Sequence, residues 1–345
     1  MKQQIDYFEI VMDFERITTS SSFMIPIRDN CYNLKTLKLK FTEWNDKNFS
    51  RGFTKMKQLD TFTMHSDNYM SLGCISTLPK TIKNVYMFKD PTQLHNNLHN
   101  RRANDVRAID KIKDVTSLTL IGLNLMLPVI ESINGKKNLV HLDLSFSRLN
   151  IPSNLLTNLE NLEHLDLHKS KGFIDDSMFT NVSSNCPKLK YLNLNDCHIK
   201  LSTRGLDEIA NLRNLEFLMI NTIRNQLNGS SFARMKKLKV LECICCVNVN
   251  NNNIMGLLRN APGLRRLVVI HTGITGIIMN DVVTLGNYRK SDVGLKIILS
   301  SSSMTSSHVQ QQQIPPWLTI QEVDYYTHDN NLVPEIGDGG IPNEE

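Results

Sequence analysis

A short apolar phrase returns along this 345-residue sequence at a near-constant interval. The phrase has leucine or another apolar residue at its first, fourth and sixth positions, as in Leu139-Val-His-Leu142-Asp-Leu144. Clear copies begin at Leu34, Leu139, Leu162, Leu189, Leu215, Leu238 and Leu264, and degenerate copies begin at Leu59, Ile82 and Val115. From Leu139 onward the first positions lie 23 to 27 residues apart. Copies in such constant phase do not arise by chance, so the chain is built of stacked repeats.

The spacing within each copy predicts a short strand. Residues two apart, such as Leu142 and Leu144, point to the same side of a strand and enter the core. Helical spacing follows in Leu206–Leu212 and Ile254–Leu258, which predicts helices on the other side of that core. A period of ~20–29 residues is typical of leucine-rich repeats. We therefore predict an α/β fold: a leucine-rich-repeat solenoid (horseshoe) with a parallel concave sheet and helices or irregular segments on the convex side.

The phase of the repeats also divides the chain. The repeats define a solenoid over residues 31–299, with one further strand predicted at Leu295–Ile298. The flanking segments are predicted to be an N-terminal cap or remnant at 1–30, a low-complexity loop at 300–313, a closing strand at 314–328 and a disordered acidic tail at 329–345. A polar and basic insertion at 93–102 is predicted to be a solvated loop, with a partner-contacting loop as the alternative.

Composition excludes several classes of protein. No apolar run reaches the ~18 residues of a membrane span, and Asp6 and Glu9 interrupt the segment where a signal peptide is apolar. Seven cysteines cannot pair completely, so we expect reduced thiols in a cytoplasmic or nuclear compartment. The net charge of +5 is mild for this length. We expect neither a membrane nor a nucleic acid as partner.

One repeat carries a more specific resemblance. The segment Cys186-Pro-Lys-Leu-Lys-Tyr-Leu-Asn-Leu-Asn-Asp-Cys197-His-Ile199, with Gly205-Leu206 following, resembles the cysteine-containing class of leucine-rich repeats. Asn260-Ala-Pro-Gly-Leu264 is similar to a second copy in which alanine replaces the leading cysteine. The resemblance covers about residues 31–285 and implies the substrate-recognition part of F-box proteins, the receptors of cullin-type ubiquitin ligases. Ubiquitin-ligase components are then among the implied partners.

The resemblance does not extend to the F-box itself. An F-box is helical and opens with a Leu-Pro pattern ahead of the repeats, and residues 1–33 show no such pattern. The ligase-docking residues of the family have nothing here onto which to map. A truncated relative, or a stand-alone binding scaffold or decoy with no ligase recruitment, is therefore the alternative.

The third, fifth and seventh positions of each repeat are predicted to face outward on the concave sheet. Equivalent positions of neighbouring strands lie ~4.8 Å apart, so they form columns. The concave sheet is the usual binding surface of such solenoids, and we expect a protein partner there. The candidate partner-binding residues are His141, Asp143, His164, Asp166, His168, Tyr191, Asn193, Phe217, Met219, Val240, Glu242, Ile244, Arg266 and Val268.

The centre of this predicted face is rich in histidine and aspartate. We predict that His141, Asp143, His164, Asp166 and His168 converge, and that the pKa values of the stacked carboxylates rise. A polar binding face is the favoured interpretation, and a zinc site built from these ligands is the alternative. No nucleophile elbow, phosphate-binding loop or metalloprotease motif is present in the sequence. We therefore expect no enzyme activity, no metal and no cofactor.

The C-terminal end of the predicted face is apolar. It comprises Phe217, Met219, Val240, Ile244, Val268 and Ile270. Because a monomer rarely exposes so broad an apolar patch, either Ile314–Tyr326 folds back across it or a protein docks on it.

The ninth position of most repeats holds a small side chain with a polar group. Examples are Ser147, Ser170, Cys197 and Cys246. We expect these side chains to bond backbone amides in the loop after each strand.

Overall fold

The computed structural model describes residues 6–12, 27, 29–41, 53, 55–66, 72–90, 104–149, 155–172, 174–197, 199–221, 227–286, 293–300 and 314–323. Within these ranges the chain forms one sheet of thirteen strands. The strands are β1 (Tyr7–Met12), β2 (Thr36–Phe41), β3 (Thr61–Ser66), β4 (Asn84–Lys89), β5 (Ser117–Ile121), β7 (His141–Asp143), β9 (His164–Asp166), β12 (Tyr191–Asn193), β14 (Phe217–Met219), β15 (Val240–Glu242), β16 (Arg266–Val269), β17 (Leu295–Ser300) and β18 (Leu318–Val323).

The connections between strands carry short helices and two small sheets. The α-helices are Asn104–Lys111, Leu127–Asn134, Val182–Asn185, Thr203–Ile209, Asn251–Asn260 and Ile278–Gly286, and the 3₁₀ helices are Leu72–Thr77, Asp176–Phe179 and Gly229–Arg234. The small sheets consist of β6 (Asn124–Leu125), β8 (Arg148–Leu149) and β10 (Lys171–Gly172), and of β11 (Ile174–Asp175) and β13 (Ile199–Lys200). The predicted helices near Leu206 and Ile254 are confirmed. No helix in the described ranges is long and apolar enough to cross a membrane.

Every strand of the large sheet runs parallel to its neighbours and in chain order. Leu142 pairs with Leu165, and Leu165 pairs with Leu192. These leucines are fully buried in one continuous core shared by the repeats. The predicted α/β leucine-rich-repeat solenoid is confirmed, because the apolar positions of successive repeats line a common interior.

The convex side closes that core with helices fixed at their ends. Asn250 and Asn253 form a reciprocal capping box: each side-chain oxygen accepts a hydrogen bond from the other residue's backbone amide. The helix Asn251–Asn260 buries Ile254, Met255, Leu257 and Leu258. Caps of this kind set where each helix begins, so that its apolar positions meet the sheet.

After six of the described strands of the large sheet, the eighth repeat position holds a residue in the left-handed conformation. These residues are Gly122 (φ 72°), Phe146, Lys169, Asp196, Cys245 and His271 (φ between 51° and 60°). A side chain at Gly122 would collide with the carbonyl oxygen of Lys89. Only glycine adopts this conformation without cost, so the other five positions store local strain in a sharp turn out of the sheet.

Side chains at the ninth position connect adjacent repeats, chiefly by donating hydrogen bonds to backbone carbonyls. Ser147 Oγ donates to the Leu120 carbonyl (2.7 Å) and accepts from the Leu123 amide (3.0 Å). Cys197 Sγ donates to the Leu167 carbonyl (2.6 Å). We expected both side chains to bond loop amides. Of Ser147 and Cys197, only Ser147 does so. The sixth-position carbonyl lies close by because the strand bends away just after it.

The first and last strands of the large sheet lie in the segments predicted to flank the repeats. β1 lies beside β2, within the segment assigned to the cap. The predicted strand at Leu295–Ile298 is present as β17, and β18 pairs with it residue by residue from Leu318 to Val323. Residues 314–323 therefore extend the sheet and do not fold back across its concave face, which corrects that part of the expectation. The predicted loop at 93–102, residues 301–313 and the tail at 329–345 lie outside the described residues.

Candidate functional site

The third column of the concave face holds a ladder of aromatic rings. His141 and His164 stack with ring centroids 4.2 Å apart, and His164 and Tyr191 stack at 3.9 Å. Phe217 follows at 6.1 Å with its ring tilted by 40°. The rings meet because their strands pair in register, one strand spacing apart. We call His141, His164, Tyr191 and Phe217 the ring ladder.

The fifth column runs beside the ring ladder and carries two carboxylates on the neighbouring strands β7 and β9. Asp143 Oδ1 accepts a hydrogen bond from the Ser145 amide (2.8 Å), and Asp166 Oδ1 accepts one from the His168 amide (2.7 Å). Asp166 Oδ2 also accepts from Asn193 Nδ2 (3.0 Å). We call Asp143 and Asp166 the acid pair. Each carboxylate fixes the backbone two residues ahead, so part of the role of these acids is structural.

Burial shifts the pKa values of the histidines in the third column and of the aspartates in the fifth column. It lowers the pKa of His141 to about 4, and burial together with the nearby His141 lowers the pKa of His164 to about 2. Burial and the charge of Asp143 raise the pKa of Asp166 to about 7, and burial raises the pKa of Asp143. At neutral pH the imidazoles of His141 and His164 are uncharged, and Asp166 binds a proton well above the usual carboxyl range.

Asn193 of the fifth column and Asn195 and Asn221 of the seventh column form a chain of side chains that bond to backbone. Asn193 Oδ1 accepts from the Asn195 amide (3.0 Å), Asn195 Oδ1 accepts from the Asn221 amide (3.0 Å), and Asn221 Oδ1 accepts from the Ile244 amide (2.9 Å). The first of these bonds lies within one repeat, and the other two cross to the next strand where the ladder of backbone bonds ends. They hold the centre of the face in one arrangement.

His168 does not join the other two histidines. Its ring lies edge-on to Phe146, with centroids 5.2 Å apart, and its buried Nδ1 has no hydrogen-bond partner among the residues that the structure describes. No three His, Cys, Asp or Glu side chains of the described ranges are grouped so as to hold a metal ion. The predicted convergence of five residues is thus wrong for His168, and the zinc alternative finds no support among the described residues.

Further along the fifth column an acid has its own cation. Arg266 Nε lies 3.4 Å from Glu242 Oε1, and the Glu242 carboxylate is largely buried. Arg266 occupies the third column and Glu242 the fifth, on neighbouring strands. The pKa of Glu242 remains raised by burial, although Arg266 opposes that rise.

The apolar end of the face is less exposed than we expected. Val268 and Ile270 are 2% and 3% exposed and form a cluster with Ile298, against which Ile244 and Val323 pack. Met219 is buried, whereas Phe217 and Val240 are half-buried. Strands β17 and β18 supply the apolar neighbours Ile298 and Val323 that cover this end of the face. The open part of the predicted apolar patch is therefore its edge at Phe217 and Val240.

Two features escaped the sequence analysis. Cys243 and Cys246 stand at a Cys-x-x-Cys spacing and interact with each other, but Cys243 is fully buried, and burial raises its pKa well above the ordinary value. A cavity of about 380 Å³ lies off the concave face, lined by Lys57 and residues 76–81. The spacing of the thiols was readable in the sequence, whereas nothing in the repeat pattern indicated the cavity.

Comparisons with known proteins identify the fold. No family model and no curated protein matches the chain. An internalin (InlF) from Listeria monocytogenes has a similar structure, with a TM-score of 0.51, 15% identity, and coverage of 78% of this chain and 75% of that chain. This likeness shows the class: a leucine-rich-repeat solenoid.

Two solved complexes resemble the chain less closely. The plant peptide hormone receptor RGFR1, in complex with RGF2, gives a TM-score of 0.46 at 15% identity over 84% of this chain and 48% of that chain. A chain of the yeast Rad7 and Elc1 complex gives 0.47 at 14% identity over 92% of this chain and 81% of that chain. At these scores the likeness carries no functional argument.

Proposed function

We propose that the chain is a non-catalytic protein-binding module whose concave face receives an extended segment of a partner protein. The observation that supports this is the ring ladder, whose His141, His164 and Phe217 are only half-buried at the centre of a thirteen-strand sheet. Aromatic side chains are common anchors in protein interfaces. The neighbouring polar columns are already hydrogen-bonded to backbone, so little ordering remains to oppose binding.

The shifted pKa values of the histidines and of two thiols argue against these groups as a general base or a nucleophile. A general base works best with a pKa near the operating pH, and burial lowers the pKa values of His141 and His164 far below it. Burial raises the pKa values of the Cys186 and Cys197 thiols to about 12. Thiols so far from ionisation are poor nucleophiles.

For the finer role we propose the substrate-recognition part of a cullin-type ubiquitin-ligase receptor. The support is the resemblance of the repeat from Cys186 to Ile199 to the cysteine-containing class. In this repeat Cys186 Sγ donates to the Leu156 carbonyl (3.5 Å) from within the core. All seven cysteines lie in the described ranges and none forms a disulfide, as is usual in the cytoplasm or nucleus, where we place this activity. Retention of a purified cullin–adaptor complex by the immobilised chain would support this role, and no retention would favour the stand-alone scaffold.

A peptide-display selection tests the general proposal. Peptides selected on the intact chain should lose more than about tenfold in affinity for Phe217→Asp, which places a charge on the ring ladder. Val247→Asp is the matched control, because Val247 is 63% exposed in the loop after β15. Circular dichroism checks that both variants fold. Equal binding to wild type and Phe217→Asp would contradict the proposed binding face.

A further inference from the structure

The ring ladder stops at an open position. Ser117 of β5 occupies the third column next to His141, and its short side chain is half-buried. One face of the His141 imidazole therefore has His164 stacked against it, while the other faces a residue that has no ring. Among the described residues, no side chain or backbone group makes a hydrogen bond to the imidazole of His141 or His164.

Within the described ranges, the acid pair beside this position has no cation. Asp143 and Asp166 accept hydrogen bonds from amides, from Asn193 and from the Tyr191 hydroxyl, and no lysine or arginine of the described ranges pairs with either carboxylate. Asp143 is half-buried and so is open to a ligand, whereas Asp166 is 7% exposed. The same chain shows what completes such a site, because Glu242 is paired with Arg266 across the same two columns.

Resting on the proposed function, we infer that this open position receives an arginine side chain of the partner segment. Its guanidinium stacks on the free face of His141 above Ser117 and donates hydrogen bonds to the Asp143 carboxylate. The guanidinium thereby extends the ring ladder by one planar group and provides the acid pair with the charge that Arg266 provides for Glu242.

The chemistry of the site selects a guanidinium over an ammonium. A guanidinium is planar, stacks on aromatic faces and is weakly hydrated, whereas an ammonium is a compact and strongly hydrated point charge. The uncharged state of His141 at neutral pH permits the stack, because a protonated imidazole would repel the cation. A cation beside the acid pair also opposes the mutual repulsion that raises the pKa of Asp166.

The test uses small probes, so that it does not depend on knowing the partner. N-acetyl-arginine methylamide is titrated into the full chain carrying ring-labelled histidine, and the His141 resonance is assigned with His141→Gln. N-acetyl-citrulline methylamide has the same shape without the charge, and N-acetyl-lysine methylamide has the charge without the plane. We expect the arginine probe to shift His141 and to bind about tenfold more tightly than the citrulline probe.

Two variants locate the probe. Asp143→Asn should weaken the arginine probe about tenfold, and Ser117→Phe should block it by filling the gap with a ring while retaining both carboxylates. Glu216→Gln is the matched control, because that acid lies outside the candidate binding residues and is already paired with Lys239 Nζ at 2.7 Å, and it should leave binding unchanged. Equal binding of the arginine and citrulline probes, or full binding to Asp143→Asn and Ser117→Phe, would overturn the inference.

The outcome is separable from that of the proposed function. Selected peptides that bind the concave face but tolerate both Asp143→Asn and Ser117→Phe would leave the proposed function standing and overturn the arginine site. Specific binding of the arginine probe, lost in these variants, would support the site even where no selected peptide depends on Phe217.

Discussion

The imidazole of His164 lies parallel to the phenol ring of Tyr191, with centroids 3.9 Å apart and planes inclined by 6°. Their strands, β9 and β12, pair in register, which brings the two residues together across a whole repeat. The Tyr191 hydroxyl donates to Asp166 Oδ2 at 3.4 Å. Tyr191 thus joins the ring ladder to the acid pair, and its replacement should affect both columns.

Removal of the Tyr191 ring should destabilise the fold far more than removal of its hydroxyl. Tyr191→Ala deletes a side chain that is 6% exposed, and we expect a loss of about 3 kcal/mol in the free energy of unfolding. Tyr191→Phe keeps the stack and loses two long hydrogen bonds, one donated to Asp166 Oδ2 and one accepted from Asn193 Nδ2, with an expected loss of about 1 kcal/mol. Urea denaturation followed by circular dichroism measures both. Equal losses would mean that the stack contributes little.

The histidines should make the protein sensitive to mild acid. Because burial lowers the pKa of His141 from 6.5 to about 4, the unfolded chain binds protons that the folded chain does not. The stability due to the neutral imidazole is fully present above pH 6.5 and falls by roughly 3 kcal/mol as the pH drops to 4. His141→Gln should therefore lose less stability over this window in urea denaturation. Parallel pH profiles for variant and wild type would contradict the lowered pKa.

The acid pair should make the free energy of unfolding fall as the pH rises, which is the opposite of the effect of the histidines. Burial and Asp143 raise the pKa of Asp166 from 3.8 to about 7, so its contribution to stability is fully present below pH 3.8 and is lost as the pH rises through 7. Asp143→Asn retains an acceptor for the Ser145 amide and removes the repelling charge. The decline in unfolding free energy between pH 5 and 8 should become shallower in this variant, by about 1.4 kcal/mol for each unit by which the Asp166 pKa falls. An unchanged decline would show that burial alone sets this pKa.

The ninth-position serine should matter through its hydrogen bonds. Ser147→Ala leaves the Leu120 carbonyl and the Leu123 amide without this partner in a buried site, which should lower the free energy of unfolding by about 1–3 kcal/mol. Ser147→Cys keeps a donor, as Cys197 does at the equivalent position, and should lose less. Thermal and urea denaturation of Ser147→Ala and Ser147→Cys measure the two losses in the free energy of unfolding. A smaller loss for alanine than for cysteine would refute this role.

The strained turn residues should prefer glycine to alanine. Lys169 has a φ of 52°, a conformation that costs an alanine roughly 1 kcal/mol more than a glycine. Both Lys169→Gly and Lys169→Ala lose the lysine side chain, so their difference reports the backbone alone. We expect Lys169→Gly to be the more stable by about 1 kcal/mol in urea denaturation. The reverse order would show that the turn relaxes out of the left-handed region.

The sequence was sufficient for the fold because the repeat enforces it many times over. The triplet beginning at Leu139 predicts an in-register strand, and Leu142 and Leu144 are fully buried as the alternation requires. The same register predicts the columns, and it therefore places His141 and His164 on one face of the sheet. Repetition converts a weak local signal into a strong one.

Side-chain detail could not be derived in the same way. His168 has the same strand position as its equivalents, yet its ring turns toward Phe146, which depends on the left-handed turn at that residue. The burial of Val268 and Ile270 depends on β17 and β18, which lie outside the clear repeats. The pairing of Arg266 with Glu242, and its absence at Asp143, depends on rotamers that a periodic pattern does not encode.

The residue-for-residue pairing of the parallel strands has a consequence for how such a chain can change. Excision of the 26 residues from Leu189 to Asn214 would place Leu215 where Leu189 now lies. The strands of the shortened sheet would keep their register, and Phe217 would then lie next to His164 in place of Tyr191. Recombination between repeats can therefore rewrite which side chains are neighbours on the inner surface while the scaffold that carries them is preserved.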